Sequence, residues 1–152
     1  MRRKDREVRD PEFFREVFQA SEVLTVAFND GEYPYSVPLS YAVHEGSIYF
    51  HCALEGKKLD CIARDPHVHF TAFDYVGVDG KRSTAHYRSV FGTGIAEVVA
   101  DDASKVEALK LLMARYSTGC DVPADTWCAR TCVVRIRITS LSGKQHLAPK
   151  EG

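Results

Sequence analysis

A mainly antiparallel β fold, a small barrel with helices at its periphery, is predicted by three observations on this 152-residue chain. Strand-like stretches in the first half follow one another through tight turns, at Asn29-Asp30-Gly31 and at Glu45-Gly46, as in a meander. Six such stretches occur in all, and the helical segments between them do not alternate regularly with them, which argues against a doubly wound α/β sheet. Proline and glycine stand inside strand-like runs, at Pro38, Gly92 and Gly94, where edges, bulges and close backbone approaches belong.

The elements follow in order. Pro11 to Glu22 places Phe13, Phe14, Val17 and Phe18 on one face, with Pro11 suited to the first helical position after Asp10. Strands are predicted over Val23 to Phe28, Tyr35 to Val43 and Ser47 to Cys52. A short helix opens after Gly56, carries Leu59 and Ile62 on one face and stops before Pro66. Further strands run over His67 to Val76 and Ala85 to Val99. The clearest helix is Asp101 to Ser117, with Val106, Leu109, Leu112, Met113 and Tyr116 on one face and Ser104 and Glu107 spaced as a capping box. Thr118 to Ala129 reads as a polar loop carrying Trp127, and Cys132 to Ser140 as a half-buried strand. Residues 1–10 read as an arm and residues 143–152 as a tail, leaving one domain over 1–152.

With 45% hydrophobic and 27% charged residues and a net charge of −1, the chain has no overall basic field for nucleic acid. Arg2, Arg3, Lys4, Arg6 and Arg9 suit a solvated arm better than a docking site for an acidic partner. No run of 18 apolar residues and no apolar stretch behind the basic start points to a membrane or an export signal. Five scattered cysteines, at 52, 61, 120, 128 and 132, suit reduced thiols in a cytoplasm.

The stretch FHCALEGKKLDCIARDP, residues 50–66, poses a local electrostatic problem. A helix N-terminus carries partial positive charge and unpaired N–H groups, yet this helix opens with Lys57 and Lys58. Spacing alone supports two readings equally, a phosphate site or two solvated lysines. Pro38 in YSVPLSYAV marks an edge whose backbone could read a planar heterocycle, although an ordinary proline-protected edge accounts for it better by itself. GTGIAE lacks the third glycine and the helix of a dinucleotide fingerprint, so any nicotinamide would be a visiting substrate. Cys128 with Cys132, and His67 with His69, lack the further ligands of a metal site. No G-x-S-x-G elbow supports hydrolysis.

In this order and at these separations, VPLSYAVHEGSIYFHCALEGKK, HYRSVFGTGIAEVV and RITSLSGKQH resemble the flavin-binding split-barrel superfamily related to pyridoxamine 5′-phosphate oxidase, nearest its nitroimidazole-reductase branch. The resemblance spans about Val23 to His146. It implies a six-stranded Greek-key split barrel, homodimeric, with FMN in two clefts at the interface. It further implies that Val37, Pro38, Leu39 and Ser40 lie along the isoalloxazine, that Phe50 and His51 sit near the ribityl and phosphate end, and that Lys57 and Lys58 hold the phosphate. Arg88, Ser89 and Lys144 would reach the cofactor from the neighbouring subunit, and His51 is the candidate proton donor or substrate contact. Trp127 would cover the pocket or pack in the interface.

The implied activity is FMN-dependent electron transfer from a reduced nicotinamide or similar donor, through flavin N5, to a small electron-poor acceptor such as a nitroaromatic. The alternative is a non-catalytic carrier or sensor of flavin or haem. Two departures qualify the likeness: the chain ends GKQHLAPKEG, without the basic, histidine-containing motif that binds the phosphate of a vitamin B6 substrate, and Lys57-Lys58 stands where Arg-Lys is usual.

Overall fold

The computed structural model describes residues 3–116 and 128–147. A 3₁₀ turn at Lys4–Arg6 leads into β1 (Glu7–Val8) and α1 (Pro11–Ala20). Then come β2 (Leu24–Asn29), β3 (Pro34–Leu39), β4 (Ala42–His44) and β5 (Ser47–Cys52), followed by α2 (Lys57–Arg64), β6 (His67–Asp79), β7 (Thr84–Val98), α3 (Asp102–Tyr116) and β8 (Cys132–His146). All strand pairs are antiparallel, in the order β3-β2-β6-β7-β8-β5-β4, with β1 added against β8.

The two ends of this order, β3 and β4, are consecutive in the chain and separated only by Ser40 and Tyr41. Three Cα steps span at most about 11 Å. Six strand spacings in a flat sheet would hold the two edges about 29 Å apart. The sheet therefore has to curl until its two edge strands come together at the β3–β4 corner without pairing, which makes it a split barrel. This is the mainly β split-barrel architecture that the sequence predicts, with eight strands rather than six. The added strands arise because Tyr35 to Val43 breaks into β3 and β4 at the corner, and because Glu7–Val8 pairs with Gly143 and Lys144. Residues 4–8, expected as an arm, are thus structured, and β8 runs on to His146 through residues expected as a tail.

One core fills the barrel and its α1 side, built from Phe18, Phe28, Phe50, Phe70, Val90 and Ile136 among others. The Asp10 carboxylate caps α1 by accepting from the Glu12 N–H at 3.0 Å, with Pro11 in the first turn as expected. A second, smaller core seats Ala108, Leu109 and Leu112 of α3 on Ala42 and Val133. The cap of α3 is Asp101, whose carboxylate accepts from the Ser104 N–H at 2.8 Å. Ser104 is therefore not the capping residue, and Glu107 pairs instead with Lys110, at 2.7 Å. Among the described residues no helix is long and apolar enough to cross a membrane.

Tyr41, at the corner, is fully buried and donates to the carbonyls of Phe18 (2.8 Å) and Ser21 (3.1 Å) at the end of α1. Burial pushes its phenol up to about 12, against the nearby Arg115 charge, so it stays a neutral donor. Arg115 donates to the same two carbonyls at 2.6 Å each and lies 4.5 Å above the Tyr41 ring.

Gly92 and Gly94 lie where β7 meets β8 most closely. A Cβ on Gly92 would stand 2.2 Å from the Ser140 carbonyl oxygen, and one on Gly94 would stand 2.4 Å from an Ile136 methyl. The register shifts at this point, between Thr93 and Gly94. The glycines serve backbone approach at a bulge, as their place in a strand predicts. Gly92→Ala is expected to cost at least about 1–3 kcal/mol, because the clash is with backbone, whereas Gly80→Ala, which meets nothing within 4 Å, leaves the urea midpoint unchanged. A Gly92→Ala midpoint equal to that of the parent would contradict this packing.

Candidate functional site

The helix that opens with two lysines is preceded by Gly56 at φ 134°, a conformation that favours glycine, and a Cβ there would meet nothing within 4 Å. Among the described residues no side chain caps α2. The N–H groups of Leu59 and Asp60 turn back to the Gly56 carbonyl at 2.8 and 3.2 Å, and the first turn stays open to solvent. Such an end attracts anions.

The two lysines part company here. Lys57 has an anion already: its Nζ lies 2.6 Å from Asp30 Oδ2 in the β2–β3 hairpin and 4.9 Å above the Tyr35 ring. Arg64 joins Asp30 at 3.5 Å. The Lys57 hydrogen bond holds the Asp30 carboxyl below the usual range, outweighing its desolvation. Lys58 is half-buried and forms no ion pair among the described residues, so its charge is available to a ligand.

On β3, Tyr35, Val37 and Leu39 are half-buried against the core, whereas Ser36 and Pro38, and Ser40 just beyond the strand, are exposed. Pro38 lies opposite Thr25, and β3 ends the strand order, so its outer edge is open as its proline predicts. On β5, Phe50 is fully buried opposite Val134, so only its backbone could meet a ligand. His51, on the other face, is exposed opposite Val133, although partial desolvation of its imidazole pushes its pKa below the ordinary value.

Arg88, Ser89 and Lys144 cluster elsewhere. Ser89 lies opposite Lys144 and donates to its carbonyl at 3.3 Å. Arg88 is spoken for, with its guanidinium donating to Asp74 at 2.6 and 3.0 Å and to Glu16 of α1 at 3.1 Å. The Lys144 ammonium stands 5.5 Å over the Tyr87 ring. Burial works to raise the Tyr87 phenol pKa, but hydrogen bonds from Lys144 and Arg6 outweigh it and leave the phenol below its ordinary value. Gly143, in the SGK segment, has a packing role: a Cβ there would stand 2.6 Å from Phe13 of α1.

Sequence reasoning missed three participants: Asp30, Tyr87 and His86. His86 is buried with no partner for Nδ1 among the described residues, its ring stacked 5.4 Å from that of His146. Its signal was only an inward position in a strand. Trp127 lies outside the described residues.

Within one chain the predicted residues form two groups. Val133, opposite His51, and Lys144 are eleven residues apart on β8, about 36 Å along an extended strand. The one chain does not gather them. A cleft of about 880 Å³ lies between the start of α3 and the sheet, lined by Tyr49, Val99, Ala103, Leu111 and the Glu97–Arg135 pair. It contains none of the predicted residues.

A family model described as pyridoxamine 5′-phosphate oxidase matches residues 10–145. Among proteins of curated function none matches the chain in sequence. Several solved structures share its fold. A candidate 5-nitroimidazole antibiotic resistance protein from Bacteroides thetaiotaomicron is 21% identical with a TM-score of 0.83, over 91% of this chain and 86% of that one. The flavocytochrome Anf3 from Azotobacter vinelandii is 20% identical with a TM-score of 0.84, over 98% of this chain and 73% of that one. An FAD and heme binding protein from Mycobacterium smegmatis is 19% identical with a TM-score of 0.78, over 97% and 77%.

The division between the lysines has a measurable consequence for stability. Replacing Lys57 by Met or Asp30 by Asn should each lower Tm slightly, by about 2 °C for an exposed pair, and the double variant should fall no further than either. Lys58→Met should leave Tm unchanged. Strictly additive losses at 30 and 57 would show that the two do not interact in solution.

Proposed function

The chain belongs to the pyridoxamine 5′-phosphate oxidase family, and from that premise we propose that it is an FMN-dependent oxidoreductase carrying electrons from a reduced nicotinamide to a small, flat, electron-poor acceptor. The observation that carries the reading is the open start of α2 behind Gly56, with Lys58, which forms no ion pair among the described residues, beside it. This fits a phosphate dianion: free N–H groups, a helix dipole and one uncommitted ammonium point the same way. Lys57 fits less directly, since Asp30 already neutralises it. Its part is to fasten the helix start to the β2–β3 hairpin, and so to β3. The exposed backbone edge around Val37, Pro38, Leu39 and Ser40 then offers hydrogen-bonding groups to a planar ring.

A bound flavin supplies the redox chemistry; the protein supplies position, charge and exclusion of water. Lys144, beside Tyr87 and opposite Ser89, can stabilise negative charge or donate a proton from its ammonium. Because its pKa is lowered, His51 is a neutral contact at neutral pH and becomes a strong proton donor only in acid.

Two observations support a homodimer. His51, on β5 beside the start of β8, and Lys144, near the end of β8, lie far apart in one chain, so a shared cofactor needs one group from each of two chains. The β6–β7 hairpin also exposes Phe73, Tyr75, Val76 and Val78, each more than half accessible, a patch of the kind that marks an interface.

Absorption of the purified protein separates the readings. Flavin bands, FMN on release, elution as a dimer, anaerobic bleaching by a reduced nicotinamide and reoxidation by a nitroaromatic are the expected results. A Soret band without flavin would replace this reading with haem carriage, released FAD would change the cofactor, and failure to bleach with any donor would reduce the protein to a carrier. In the loaded enzyme, Lys58→Glu should weaken FMN at least about tenfold.

A second expectation concerns His51. Protonation occurs only as pH falls through its lowered pKa, so a rate limited by proton donation from His51 rises in acid, with a midpoint below that of an ordinary histidine. His51→Gln should flatten that rise. A variant with the parent's pH profile would remove His51 from proton transfer.

A further inference from the structure

Two thiols that the flavin reading does not use face one another across the sheet. Cys52, the last residue of β5, is the register partner of Cys132, the first residue of β8. Directly opposed residues on antiparallel strands have Cα atoms about 4.5 or 5.5 Å apart, and both spacings fall in the range a disulfide spans, about 4.4–6.8 Å. Both cysteines are free; Cys132 is buried and Cys52 is partly open to solvent. The remaining described thiols are engaged elsewhere, Cys61 with Asp30 at 3.5 Å and Cys128 with Asp102 at 3.7 Å. We propose that Cys52 and Cys132 are a redox-active pair that closes reversibly into a cross-strand disulfide, with Cys52 as the entry point.

A low-molecular-weight disulfide such as oxidised glutathione is the oxidant. The Cys52 thiolate attacks one of its sulfurs, forming a protein–glutathione mixed disulfide and expelling one glutathione thiolate. Cys132, as its thiolate, then attacks the Cys52 sulfur, forms the Cys52–Cys132 bond and expels the second glutathione. Two electrons pass from the protein dithiol to glutathione disulfide, and the two thiol protons end on the two glutathiones released. The order follows from access, because only Cys52 can be reached from solvent. Burial and the neighbouring Cys132 thiol push the Cys52 pKa up to about 11, against the opposing charge of Lys58 on α2, so the reaction is slow at neutral pH and accelerates in base. The bond would tie the end of β5, immediately before the segment that leads to Gly56, to the start of β8. It requires no bound flavin.

The test uses the full chain, incubated with oxidised glutathione, quenched by alkylation and read by mass spectrometry. The expected product has lost two hydrogens and yields one crosslinked peptide joining Cys52 to Cys132, reversed by dithiothreitol. Its rate of formation should rise about tenfold per pH unit between pH 7 and 9. Cys132→Ala should instead hold one glutathione on Cys52, and Cys52→Ser should form neither species. A crosslink from Cys52 to Cys120 or Cys128, or two unmodified thiols after prolonged incubation at pH 9, would overturn the proposal. Because the readout is a mass in the parent protein, it stands whether or not the variants fold and whether or not FMN binds.

Discussion

The barrel depends on its corner. A two-residue link must carry the chain from one edge of the sheet to the other, and the residue that occupies it, Tyr41, buries its whole side chain there. A buried hydroxyl without a partner would cost about 1–3 kcal/mol, and this one is satisfied by the last carbonyls of α1. Those carbonyls are shared with Arg115 from the end of α3. Tyr116 completes the arrangement: its hydroxyl accepts from the Tyr41 N–H and the Arg115 Nε–H and donates to the Glu22 carbonyl. The closing of the sheet, the end of α1 and the end of α3 are thus one hydrogen-bonded unit, and each holds the others in place.

From that closure follows the placement of the candidate site. With β3 and β4 brought to the seam, the open backbone edge of β3 and the start of α2 are linked through the Asp30–Lys57 pair. The long β7–β8 pairing carries Arg88, Ser89 and Lys144 away from that seam, toward α1 and β1. The barrel therefore separates two sets of groups that a single flavin would need together. In the proposed dimer, each chain would supply one of the two sets.

Much of this was legible in the sequence where the signal was local. Pro38 marked an edge, Gly92 and Gly94 a close approach, and Asp10-Pro11 a helix start, because each acts through its own backbone. What failed was set by distant partners. The alternation from Tyr35 to Val43 concealed a corner, because Tyr41 turns inward to meet carbonyls some 20 residues away. Ser104 looked like a cap, but Asp101 supplies the acceptor to its N–H. The ion pair of Lys57 with Asp30 was likewise hidden, because nothing in the lysine's own stretch discloses a partner that reaches it only through the packing of the hairpin on α2. The polar run after Ser140 carried no apolar pattern to announce a strand, and its structure comes from pairing with β7 and β1.

The shift in register between β7 and β8 has one more consequence. Thr93 lies opposite Ser140 and Gly94 opposite Ile138, which leaves Thr139 as an extra residue on β8. Before it the inward positions are even-numbered, Val134, Ile136 and Ile138; after it they are odd, Leu141 and Gly143. A strand in strict alternation would put Lys144 in phase with Ile136, facing the apolar interior. The single surplus residue inverts the parity of β8 from Ser140 to His146, and that inversion delivers an ammonium group to the outside of the barrel.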